Sequence, residues 1–165
     1  MENQSQISRK KLVEEQMSFG TKVVLIGFFG GLIWSLVGYI AFYFNFMRIG
    51  PALILMPWAF GDWKNTYIGQ LIGVGMIAIL SIGVAFLYKL ILQKFHSIWA
   101  AMGFGTGLWL LVFYVLNPIF PGLKAVQNLD FNTIASTLCL YVIYGLFIGY
   151  SVSYEYAQQH RKSKI

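Results

Sequence analysis

Four long stretches without a formal charge decide which solvent this chain can fold in. No Asp, Glu, Lys or Arg occurs between Lys22 and Arg48, between Lys64 and Lys89, or between Asp130 and Glu155, and a fourth run extends from Ser97 to the residue before Lys124. Each holds at least the ~20 residues that a helix rising ~1.5 Å per residue needs to cross ~30 Å of hydrocarbon. In a chain of 165 residues that is 58% hydrophobic, this is more apolar surface than a soluble domain can bury. Lipid offers backbone groups no water, so each run must be a helix or belong to a closed barrel. Barrel strands alternate apolar and polar at period two, and these runs do not.

The sequence therefore reads as an all-α membrane protein with four transmembrane helices, at about 23–46, 67–88, 98–116 and 133–153, forming two antiparallel hairpins. Residues 1–20 read as an N-terminal segment, 21–154 as the transmembrane domain and 155–165 as a basic tail. The first span follows Arg9, Lys10, Lys11 and Lys22 as a signal peptide would, but it is too long for a cleavable segment. No Ala-x-Ala-like site follows it, so it is read as retained.

Orientation follows from the basic residues. Nine of the 12 Lys and Arg lie in the N-terminal segment, in the loop with Lys89 and Lys94, and in the tail with Arg161, Lys162 and Lys164. Arg48, Lys64 and Lys124 lie in the other two loops. The positive-inside rule then predicts both termini in the cytoplasm. The net charge of +6 is largely this topology signal, with attraction to anionic headgroups as its by-product. The basic residues are split among short segments, which argues against a nucleic-acid footprint.

Each span carries a pair of glycines four residues apart: Gly27 and Gly31, Gly69 and Gly73, Gly103 and Gly107, Gly145 and Gly149. Such pairs lie on one helix face and admit a neighbouring backbone, a main source of attraction between helices in lipid. Packing within the bundle is the expected use, ahead of an oligomer interface. Three pairs sit toward the cytoplasmic end and one, Gly69 and Gly73, toward the outer end, which predicts a bundle pinched inside and open outward. Gly27-Phe-Phe-Gly-Gly31-Leu-Ile-Trp34 also echoes Gly103-Phe-Gly-Thr-Gly107-Leu-Trp109, as two repeated hairpins would.

The spans contain neutral polar residues, Ser35, Gln70, Ser81, Thr106, Ser136 and Thr137, and no acidic or basic one. That disfavours a carboxylate-coupled transporter. Helical Ser and Thr are expected to bond back to their own backbone, while Gln70 requires a partner helix. Catalytic and metal-binding sets are not expected: His96 and His160 fall in a loop and the tail, no HExxH, CxxC or phosphate-binding glycine loop occurs, and the one cysteine, Cys139, reads as a small apolar side chain. No cofactor is implied.

All four prolines, Pro51, Pro57, Pro118 and Pro121, fall at or beyond the outer face. The apolar run 51–60 is too short to span and must lie in the interface or re-enter the membrane. Trp58, Trp63 and Tyr67 read as interfacial anchors. Arg48, Asp62, Trp63, Lys64 and Asp130, with Lys124 and Asn128, form the candidate outer-face binding cluster.

The opening GFFGGLIW, the loop PWAFGDWK and the turn LNPIFPG, with the overall length and the four spans, resemble the YqhR-like family of small membrane proteins from Bacillus and its relatives. The resemblance covers nearly the whole chain. It implies a multi-pass protein of a bacterial cell membrane, with no assigned catalytic residues. The functional expectation is a non-enzymatic assembly or accessory subunit that works through the lipid bilayer and a membrane-protein partner or second copy of itself. The alternative is a channel or facilitator subunit that forms its pore as an oligomer.

Overall fold

Four helices carry the chain in the computed structural model, which describes residues 18–57, 66–92, 97–120 and 126–162. They are α1 (Phe19–Tyr43), α2 (Tyr67–Leu92), α3 (Ile98–Leu110) and α4 (Phe131–Lys162). All four are long and apolar enough to cross a membrane once α3 is followed through the wider turn Leu111–Val115. No strand occurs among the described residues.

The helix ends depart from the predicted spans for local reasons. α1 begins at Phe19, ahead of Lys22, because Lys22 reaches Glu155 of α4 at 2.7 Å and need not be left outside the helix. It stops at Tyr43, short of Phe46, where Asn45 takes a φ of 59°. The N–H groups of Phe46 and Asn45 turn back to the carbonyls of Ala41 and Phe42, closing a Schellman motif whose left-handed residue is Asn. α2 runs past Lys89 to Leu92, since a cation in the last turn complements the helix dipole. α3 widens where Leu116 N–H bonds to Leu111 O, and ends just before Pro118, whose ring disfavours helix in the preceding residue. α4 continues through the predicted tail to Lys162; its 32 residues measure ~48 Å at ~1.5 Å each, well beyond the hydrocarbon thickness.

The helices form two hairpins, α1 against α2 and α3 against α4, and α4 also lies against α1 and α2. α4 is thus the common wall of the bundle. Two apolar clusters occupy its ends. Toward Lys22, Val23, Ala85, Tyr88, Ile148 and Val152 are buried together. Toward Arg48, Trp109, Phe113 and Phe120 form a second cluster, against which Ile49, Leu53 and Ile54 of the α1–α2 connection pack.

Candidate functional site

The seam between α1 and α2 is built from absent side chains. A Cβ on Gly27 would lie 2.8 Å from Ile82 Cα, and one on Gly31 would lie 2.9 Å from Ala78 Cα. Both distances are shorter than real carbon contacts, so the helices are as close as glycine allows. In the second hairpin, Gly145 meets Gly105 Cα at 2.6 Å by the same measure, and Gly149 meets Ala101 and Tyr88.

Gly103 and Gly107 are placed differently. Among the described residues neither would bring a Cβ within 4 Å of another atom, and both are exposed on the outer side of α3. The residue that packs is Gly105, about 200° around the helix from each at ~100° per residue. The echo between the first and third spans therefore does not carry over into packing. Gly69 is buried, and Gly73 faces Pro51 instead of a helix.

Hydrogen bonds converge on α4 from every other element. Ser81 of α2 donates to the Gly27 carbonyl of α1 at 2.6 Å, and its oxygen lies 2.5 Å from Tyr144 Oη of α4. Tyr88 of α2 meets Ser153 at 3.4 Å. Trp109 of α3 donates to Thr137 at 3.1 Å, while Thr137 donates back to the Thr133 carbonyl. Ser35 and Thr106 bond back to carbonyls of their own helices, as expected of helical hydroxyls. Ser81 breaks that expectation because α1 approaches closely enough to offer its carbonyl.

At the other end the segment 47–57 forms a strap inside the bundle. Pro51–Leu55 makes a short 3-10 turn, and Pro51, Ala52 and Leu55 are buried. Gln70 finds its partner here and not on a neighbouring helix: its Oε1 accepts the Ala52 N–H at 3.0 Å. Arg48 N–H donates to Thr133 Oγ1 at 3.2 Å, and Arg48 Nε pairs with Asp130 Oδ2 at 2.5 Å on the exposed surface. The described part of the 51–60 run thus inserts between protein elements, where its backbone groups can be satisfied. The outward opening expected from the glycine positions is filled by this strap.

Of the predicted outer-face cluster, the structure brings Arg48 and Asp130 together. Asn128 lies in a short turn and is exposed. Asp62, Trp63, Lys64 and Lys124, like Trp58, lie outside the described residues. Cys139 is exposed on the bundle surface. Among the described residues no group of three His, Cys, Asp or Glu side chains is placed to hold a metal ion.

A family model described as conserved membrane protein YqhR matches residues 2–165. The chain belongs to the YqhR family. A relative, the uncharacterized protein YqhR of Bacillus subtilis (strain 168), is 46% identical over 140 residues, covering 85% of this chain and 79% of that protein. No solved structure matches it significantly. The chain is accordingly a conserved multi-pass protein of a bacterial membrane, in contact with the bilayer. The packing of Gly105 and the hydrogen bonds of Tyr144 and Trp109 are not foreshadowed by the sequence motifs. Ala101 and Gly105, four apart, were the available signal for the first. The two aromatics carried none, since a ring in a membrane span looks the same whether it faces lipid or a hydroxyl.

Proposed function

We propose that this chain is a non-enzymatic assembly or accessory subunit that presents α3 to a helix of a membrane partner or of a second copy. The observation that carries this is the outward placement of Gly103 and Gly107, with nothing within 4 Å of the position a Cβ would take. Trp99 and Tyr114 stand exposed on the same side of α3. Lipid gains nothing from a notch of bare backbone, whereas a second helix gains close van der Waals contact there. The neutral polar groups inside the bundle are meanwhile consumed in holding it together. The distribution of basic residues supports placing the Lys22 end and both termini in the cytoplasm.

The test is cross-linking and affinity capture from native membranes, comparing the native chain with the Gly103→Leu, Gly107→Leu double substitution. A cross-linked species in the native chain that is lost on substitution supports the reading. Recovery of the native chain only as an uncompanioned monomer overturns it.

A further inference from the structure

The strap between α1 and α2 is held as a bound peptide would be. Its main chain is recognised at two points, Ala52 N–H by the Gln70 carboxamide at 3.0 Å and Arg48 N–H by the Thr133 hydroxyl at 3.2 Å, and Pro51 lies close against Gly73, where a side chain would not fit. Backbone N–H groups are what any peptide offers, and Gln70 and Thr133 accept them from buried positions, 7% and 1% exposed. Side chains add selectivity. Leu53 and Ile54, half-buried, pack against the cluster of Trp109, Phe113 and Phe120, and the Arg48 guanidinium meets the Asp130 carboxylate.

The strap also fills a gap that the helices leave. At the Lys22 end α2 and α3 meet directly, Tyr88 against Phe104 at 5.0 Å between ring centroids. At the Arg48 end the strap stands beside both, touching Gln70 and Gly73 on α2 and packing against the cluster of Trp109, Phe113 and Phe120. One of its fastenings, the Arg48–Asp130 pair, is exposed, with side chains 76% and 51% accessible. Its entry is the left-handed Asn45, a conformation that single Asn residues adopt at low cost.

We propose that the cleft between α2, α3 and α4 is a peptide-binding groove, occupied in the structure by the chain's own residues 48–55 as a displaceable strap. The competing ligand is an apolar peptide segment led by a basic residue and able to take the same 3-10 turn. Asp130 takes the cation, Gln70 and Thr133 take the main chain, and the Trp109–Phe113 wall takes the apolar side chains. This groove is separate from the outward face of α3, so its failure would leave the proposed subunit role standing.

The test uses the full chain in nanodiscs, with Cys139→Ser to remove the native thiol and Ala52→Cys as a reporter that is shielded while the strap is seated. A water-soluble maleimide reads its exposure, and the probe is the synthetic peptide Arg-Ile-Gly-Pro-Ala-Leu-Ile-Leu. The peptide should accelerate labelling saturably, and the same peptide with Glu in place of Arg should do so less. Raising salt from about 10 mM to about 0.5 M, where screening shortens to a few ångström, should also accelerate it. The expected salt effect is about two- to fivefold, the range an exposed ion pair can supply. Leu53→Cys serves as a second reporter if Ala52→Cys fails to fold. Labelling that the peptide does not accelerate overturns the proposal, whatever salt does, as does equal acceleration by the Glu peptide.

Discussion

Ser81 and Tyr144 bring their hydroxyl oxygens to 2.5 Å of one another across the junction of the two hairpins, and Ser81 is bound at the same time to the Gly27 carbonyl of α1. One side chain therefore links three helices. The Gly27 carbonyl already accepts within its own helix, so Ser81 is a second donor to it and Tyr144 depends on Ser81 for its partner.

Ser81→Ala is expected to destabilise the bundle more than Tyr144→Phe, because it strands the Tyr144 hydroxyl in a place without water. The difference should be about 1 kcal/mol, in the range measured for hydrogen bonds between membrane helices. The double substitution should cost less than the sum of the two, since it removes both partners together. Reversible unfolding in mixed micelles measures all three; additive effects would show that the pair is not coupled.

The glycines of the second hairpin separate packing inside the bundle from the proposed contact face. Gly145→Ala would push a methyl to 2.6 Å from the Gly105 backbone and is expected to destabilise by about 1–3 kcal/mol or more, as overpacking against a neighbour that cannot yield. Gly107→Leu meets open space and should leave thermal stability within about 0.5 kcal/mol of the native chain. Thermal unfolding in detergent distinguishes the two. A large loss from Gly107→Leu would place that residue in the monomer's packing after all.

The number of helices and their pairing into hairpins could be read from the sequence, because a charge in hydrocarbon is so unfavourable that Lys22, Arg48, Lys64 and Lys89 bracket the spans. What each span does with its glycines could not. Spacing identifies a face but not the direction in which it points, and Gly103 and Gly107 satisfy the same pattern as Gly27 and Gly31 while facing the opposite way. The strap was half legible. The length of the 51–60 run excludes a crossing, and the burial of Gln70 demands a partner, but only the fold shows that each answers the other.

Gln70→Leu tests that junction. The substitution leaves the buried Ala52 N–H without an acceptor, which should cost about 1–3 kcal/mol. Because Gly50 lies against the same carboxamide, the change should also loosen the start of the strap. Hydrogen exchange at Ala52 is the direct readout: its protection should fall while that of the α3–α4 seam is retained.

Lys22 and Glu155 tie α1 to α4 at the opposite end, at 2.7 Å and with side chains 21% and 24% exposed. Phe19 and Tyr156 meet beside them, with ring centroids 6.1 Å apart, and Lys89 of α2 lies 4.7 Å above the Phe19 ring, so three helices are gathered at one point. Lys22→Glu should destabilise by placing two carboxylates together, and Glu155→Lys should do the same with two ammonium groups. Exchanging both restores the attraction and should recover most of the loss, leaving the swapped chain within about 1 kcal/mol of native. The contrast between single and double substitutions should shrink as salt rises, since the pair is partly solvated. Thermal unfolding at low and high salt measures it. A swapped chain no more stable than either single variant would show that the stems of Lys22 and Glu155, packed among Phe19 and Tyr156, hold the helices together and that the charges do not.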